Sequence, residues 1–227
     1  MVERMSKPSL DKESLRLRLK AVCPSEADVP LSAVVGALVD DATVPVAWPP
    51  ERDSTGIAIE RTGGGVPAAV LIGLVARPEG PTIILTERTA HLANHAAQVS
   101  LPGGRVEAAD AGPAAAALRE ALEEVGLNSA KVELLGCLPP LLTTSGFCVY
   151  PFVGWIDPPV ELLPDPYEVA EIFEMPLQFV LERANHHRDS LVARGVRHEF
   201  YVLPYLGHRV WGATADILVS LADALAP

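Results

Sequence analysis

The stretch LPGGRVEAADAGPAAAALREALEEVGL, Leu101 to Leu127, joins a double-glycine turn to a short alanine-rich helix with an acidic face. Helix is predicted from Pro113 to Val125, because proline suits a first turn, alanine is the best helix former and Gly126 offers a stop. Ala115, Leu118, Leu122 and Val125 form the expected buried stripe. Glu120, Glu123 and Glu124 stand at i, i+3 and i+4, so three carboxylates share one patch with no lysine between them. Two of them fall in the last turn, where the macrodipole disfavours each negative charge by about 0.3–1 kcal/mol. Most charge runs are solvated helix faces, but a local rule broken without compensation marks a site. Magnesium and similar hard divalent cations take clustered carboxylate oxygens, and Glu120 and Glu124, one turn apart, can present oxygens to a common ion. Gly103 and Gly104 let main chain come close to that ion or to a substrate phosphate.

Read outward, the order is Gly104, five residues, Asp110, then Arg119-Glu120-x-x-Glu123-Glu124-x-Gly126-Leu127. This order resembles the box of the Nudix hydrolases, which is long and specific. The usual box has Glu at the Asp110 position and one residue fewer before the Arg-Glu pair. Both departures are similar to the branch of the family that acts on coenzyme A. The stretch before the box also resembles that branch, with Arg88, Pro102, Gly103 and Gly104 on its pattern and Thr89, Ala93, Ala97 and Leu101 off it. Of these the exchange at Ala93, where the branch carries a second arginine, bears on phosphate binding. The strand FCVYPFVG and the junction VWGATADIL are similar to the same branch, so the resemblance runs from Val66 to Ala224.

Composition narrows the partners. The chain has 227 residues, a net charge of −11, 49% hydrophobic and 5% aromatic residues. Without a basic stripe it is not expected to bind a nucleic acid polymer. Local arginines and a metal ion are needed for a small polyanion to approach so acidic a protein. Cys23, Cys137 and Cys148 are odd in number and widely spaced, which implies neither a disulfide framework nor a zinc knuckle and fits a reducing compartment. The charged N-terminus and the absence of a long apolar run give the expectation of a cytoplasmic protein without a membrane partner.

Along the chain, Leu15, Leu19 and Val22 predict an amphipathic helix over residues 9–22, and a weaker one is predicted over 32–38, before prolines at 45, 49 and 50 mark a boundary. Residues 1–56 are therefore read as a helical N-terminal extension that packs on the body or helps a homodimer form, and 57–227 as the main domain. The apolar run VPAAVLIGLVA from Val66 predicts a doubly buried strand, with a partner from Thr82 and further strands at 132–138, 147–155 and 169–173. Pro151 predicts an edge or a bulge. Pro176 starts a short helix, residues 198–211 form a hairpin around Leu206 and Gly207, and Thr214 caps a terminal helix. His91 and His95 at i, i+4 lack a third zinc ligand, which leaves structural histidines or phosphate-facing donors. Glu168 and Glu171 are candidates for a supplementary metal ligand or a base, and Glu174 for a solvated strand edge.

The element order gives an α/β protein with a mixed sheet covered by helices, and the resemblance implies the Nudix α/β/α sandwich. It implies metal-dependent cleavage of a nucleoside diphosphate derivative with Mg2+ or Mn2+. The leading substrate is coenzyme A, split into phosphopantetheine and adenosine 3',5'-bisphosphate; ADP-ribose hydrolysis and a non-catalytic binding module are the alternatives. The expected metal ligands are Glu120, Glu124 and Glu123, the last also orienting water. Arg119 pairs with a carboxylate to direct it, and the general base is left open between Glu120, Glu123 and a downstream acid. Arg88, Gly103, Gly104, His91 and His95 are the expected substrate contacts.

Overall fold

The computed structural model describes residues 10–22, 65–90, 97–193 and 196–226. Two long apolar strands form its centre. β1 (Val66–Val75) runs parallel to β7 (Phe147–Ile156) over its whole length. Both are mostly buried, as expected for strands covered on two faces. β2 (Thr82–Arg88) turns back from β1 but pairs with it only at Leu74–Ile83 and Val75–Thr82, then continues beside β8 (Val169–Pro176). β1 is thereby left an unpaired stretch, and β4 (Gly103–Arg105) fills it opposite Ala68, Ala69 and Val70. The glycine turn is thus held at the middle of the sheet. β3 (Val99–Ser100), β5 (Val132–Cys137) and β6 (Leu141–Leu142) complete this eight-stranded mixed sheet.

Pro151 lies inside β7, between β1 and β5, and not at an edge. The missing N–H is tolerated because the neighbour changes there: β5 reaches only to Phe152, β6 takes over at Val149, and Pro151 needs only to accept from the Leu138 amide.

Helix α1 (Lys12–Val22) packs on this body, with Leu15 and Leu19 fully buried in its larger core cluster. Burial of each contributes about 1.5–3 kcal/mol. Lys12 and Arg16 anchor its polar side to Glu133. The weaker helix expected over 32–38 and the boundary at 56 lie outside the described residues. Cys137, buried at the end of β5, is disulfide-bonded, which corrects the expectation of reduced cysteines. A bridge needs two Cβ atoms about 4 Å apart, and spacing along the chain does not report that. The other half of the bridge lies outside the described residues.

A second, three-stranded sheet is built from β9 (His187–Ala193), β10 (Val196–Tyr205) and β11 (His208–Trp211). The turn between β10 and β11 has left-handed Leu206 and Gly207, as expected for a two-residue hairpin. Strand β9 was not foreseen. Helices α2 (Pro113–Val125), α3 (Leu177–Leu181) and α4 (Ala213–Ala224) follow the predicted order. Thr214 is not the cap of α4: Gly212 holds that place and the Thr214 hydroxyl donates to the Val99 carbonyl, tying α4 to β3.

Helix α2 lies on one face of the large sheet over Ala69, Leu71, Val75 and Ile84. On the other face, α1, α3, α4 and β10–β11 cover a separate cluster that includes Ile72, Ile83, Leu85 and Met175. The result is an α/β/α arrangement.

Candidate metal and diphosphate site

Helix α2 presents its alanines to the sheet, and this corrects the predicted stripe. Ala116, Ala117, Ala121 and Val125 are fully buried, whereas Leu122 is half exposed. Small side chains let the helix axis approach β1 and β4 closely, and that approach carries Glu120 and Glu124 onto the glycine turn. A Cβ on Gly104 would lie 2.3 Å from Glu120 Oε1, and one on Gly103 would lie 2.3 Å from the Ala69 carbonyl. At Gly103 the backbone leaves no room for a side chain, and at Gly104 one would displace the Glu120 carboxylate. The Gly103 amide donates to Glu124 Oε2 at 3.3 Å.

The helix ends as predicted at Gly126, with φ 68°, where its amide bonds back to the last turn. The remaining carbonyls are met from the loop before β8: Leu163 N–H donates to Val125 O and Asp165 N–H to Glu124 O, both at 2.9 Å. The same loop brings Glu168 to the site.

The three glutamates are not equivalent. Arg119 Nη1 donates to Glu120 Oε1 and to Glu123 Oε2, each at 2.9 Å. The patch read as uncompensated is therefore compensated at two of its members. Asp110 grips the other side of the guanidinium through Nε at 2.9 Å and Nη2 at 3.1 Å, a two-pronged pair with its carboxyl almost buried. The Arg105 carbonyl accepts from the same Nη2. Arg119 holds Asp110 below the usual carboxylate range, helped by the Glu107 amide.

Among the described residues Glu124 has no such close partner. Its side chain is 5% exposed and the nearest cation among the described residues is Arg88 Nη1, 3.6 Å away. Burial pushes its carboxyl up to about 8; Arg88 and the Gly103 amide oppose the shift, and Glu120 and Glu168 add to it. Glu120 is also raised by burial, in spite of Arg119. Arg88 reaches Glu168 at 3.5 Å with its other nitrogen. A nearly buried carboxylate beside two further acids and one shared arginine lacks positive charge, and clustered oxygens of this kind suit a hard divalent cation.

Glu120, Glu124, Glu123, Arg119, Arg88, Gly103 and Gly104 thus meet in one place. His91 and His95 lie outside the described residues. Glu168 joins the group, whereas Glu171 points to the opposite face of the sheet toward His208. Glu168 precedes β8, and the β8 register shifts beside Glu87 and Arg88 of β2, so the spacing of the two acids in the sequence does not separate them. Glu174 is not a solvated edge: it bonds Arg77 and Thr82, which lower its pKa.

The α/β/α sandwich presses an acidic helix face onto a double-glycine strand, an arrangement whose clustered oxygens suit a metal ion. The family model described as NUDIX domain matches residues 66–194, and the chain belongs to the Nudix family. It is 43% identical over 156 residues to a protein named uncharacterized Nudix hydrolase NudL from Photorhabdus laumondii, covering 69% of this chain and 83% of that one. It is 45% identical over 155 residues to its namesake from Salmonella newport, covering 68% and 80%. Among solved structures, a Nudix hydrolase from M. smegmatis, RenU, is similar with a TM-score of 0.42 and 21% identity, over 55% of this chain and 77% of that one. No helix of the described residues is long and apolar enough to cross a membrane.

Proposed function

We propose that this Nudix hydrolase cleaves the diphosphate of a nucleoside diphosphate derivative, with coenzyme A or its thioesters as substrate and phosphopantetheine and adenosine 3',5'-bisphosphate as products. The observation that carries the hydrolytic reading is Glu124, nearly buried beside Glu120 on the glycine turn and paired only at 3.6 Å, among the described residues, with an arginine it shares with Glu168. Nudix hydrolases generally use divalent ions such as Mg2+ or Mn2+, and the residues present fit one: Glu120 and Glu124 would hold it, with Glu123 toward a second ion or water. Such an ion neutralises diphosphate oxygens and favours ionised water.

Arg119, clamped by Asp110, directs Glu120 and Glu123 and is a positioning residue. Arg88 lies between Glu124 and Glu168, and would be free to turn to a substrate phosphate if those carboxylates held a cation. Glu168 and Glu123 are the more exposed acids and the candidates to accept the proton of water. The coenzyme A assignment rests on the sequence: the LTER strand end, the Asp110 box with its extra residue, FCVYPFVG and WGATA. The protein's expected partner is a small molecule and not a membrane or a nucleic acid polymer; the Cys137 bridge removes the reduced-cysteine argument for a cytoplasmic setting.

ADP-ribose is the second reading, and the alanine at position 93 favours it. A lost charge-assisted phosphate contact of about 1.5–3 kcal/mol raises KM roughly ten- to a hundredfold. Wild type and Ala93→Arg are compared on coenzyme A and ADP-ribose under one metal and one salt. Coenzyme A is expected to give the higher kcat/KM on both proteins, and more so on Ala93→Arg. If ADP-ribose wins on both, the coenzyme A assignment is lost. In heavy-oxygen water, label must enter a phosphate product; label on a carboxylate or sugar alone refutes diphosphate cleavage.

A further inference from the structure

On the sheet face away from α2, three strands bring Glu87, Glu171 and His208 together. One ligand atom from each lies within 4.8 Å of the others. His208 Nδ1 is 2.9 Å from Glu87 Oε2, and its Nε2 is 4.0 Å from Glu171 Oε2. The imidazole lies flat on the Phe173 ring, with centroids 3.9 Å apart and planes 2° apart, so its orientation is fixed by packing.

Two features indicate a cation here. Glu87 and Glu171 are register partners on adjacent antiparallel strands, and like charges directly opposite one another are destabilising. The hydrogen bond between His208 Nδ1 and Glu87 meets one of the two carboxylates, while the Glu171 oxygen stays 4.0 Å from the ring. The donors also come from two sheets, Glu87 and Glu171 from β2 and β8 and His208 from β11. An ion held by all three would join the sheets beside the Phe173 ring.

We propose that Glu87, Glu171 and His208 bind a transition-metal dication such as zinc, through one imidazole nitrogen and two carboxylate oxygens, with solvent completing the shell. A mixed nitrogen and oxygen set with imidazole suits zinc and its neighbours, whereas the all-oxygen cluster on α2 suits magnesium or manganese. The two sites lie on opposite faces of β2: Arg88 faces Glu124, and Glu87 follows Ile83 and Leu85 to the other side. Glu171 is the most exposed of the three ligands, with 57% of its side chain accessible, so the ion enters from that side. Its role is to staple β11 to the large sheet, stabilising the folded chain by mass action.

The test uses the full chain carrying Glu120→Gln, Glu123→Gln and Glu124→Gln, which removes the helix carboxylates of the α2 site. Zinc is titrated by calorimetry and counted by metal analysis, and cobalt is added as a spectroscopic probe of nitrogen ligation. One zinc per chain is expected, with a cobalt spectrum showing imidazole ligation and a thermal midpoint raised by zinc. Adding Glu171→Gln or His208→Asn should weaken zinc binding by about tenfold or more and abolish the thermal shift. Glu171 is largely exposed, so loss of fold does not confuse that arm, and circular dichroism checks the other. If zinc does not bind below millimolar concentration, or binds equally well after both substitutions, the triad is an ion pair and the proposal is overturned.

Discussion

Acidic groups gather on both faces of the large sheet around the end of β2, and the two faces treat them differently. On the α2 side, Glu124 is nearly buried, Glu120 is partly buried, and Arg119 is already committed to Asp110, Glu120 and Glu123. On the far side, Glu171 is largely exposed and Glu87 has a histidine at 2.9 Å. The near face accepts the cost of desolvating charge, and the far face leaves most of it to water. Desolvation strengthens every later interaction with a cation or a phosphate. Catalytic charge is therefore expected where α2 closes on the glycine turn, and a stabilising ion where the two sheets meet.

The comparison breaks most directly at Glu124. Glu124→Gln keeps shape and hydrogen bonding but removes charge, and is expected to lower turnover more than about a hundredfold with the fold intact, beyond the range typical of residues that only support a ligand. Glu171→Gln on the far face should leave turnover within about twofold. Parallel steady-state assays with circular dichroism check both, and equal losses would erase the distinction between the faces.

Stability should follow the opposite division. Leu19 is fully buried in the cluster on the far face, and Leu19→Ala is expected to cost about 2–5 kcal/mol in denaturant unfolding. Its KM for substrate should stay near wild type, since α1 lies across the sheet from α2. A large change in KM would mean that α1 reaches the site.

Asp110→Asn sharpens the near face itself. It removes the charge that orients Arg119 without touching an expected metal ligand, so a loss of about 10- to 100-fold in turnover or metal affinity is expected. Asp110→Glu, the residue of the usual box, should recover part of that loss, which a merely structural requirement for shape would not allow.

A smaller effect is expected in the pH dependence of the metal-free protein. Between about 4.5 and 8 the folded chain keeps a proton on Glu124 that the unfolded chain has released. The folded state then binds more protons, so this group's contribution to stability falls as pH rises through that window. Arg88 and the Gly103 amide oppose the shift, and Glu120 and Glu168 reinforce it. Thermal melts across that window should show the decline, Mg2+ or Mn2+ should flatten it, and Glu124→Gln should lack it. A metal-free Glu124→Gln protein with the wild-type slope would remove Glu124 as its source.

Much of this protein was readable from local rules. Pro113, the alanines and Gly126 determine a helix of stated ends, because proline at the start, alanine inside and a left-handed glycine at the stop each act within one turn. The spacing of Arg119, Glu120, Glu123 and Glu124 places the acids together for the same reason, and the apolar run from Val66 determines a strand buried on both faces. Tertiary structure decided which face of α2 meets the sheet: Leu122 loses to Ala117 and Ala121 because only small side chains let the helix close on Gly103 and Gly104. It decided that Arg119 compensates Glu120 and Glu123 but not Glu124, since Asp110 fixes the guanidinium from a different segment. It also sent Glu168 to one face and Glu171 to the other, and put Pro151 in a central strand where the neighbour changes. These outcomes depend on which distant strand runs alongside, and a period of two or 3.6 residues carries no information about that.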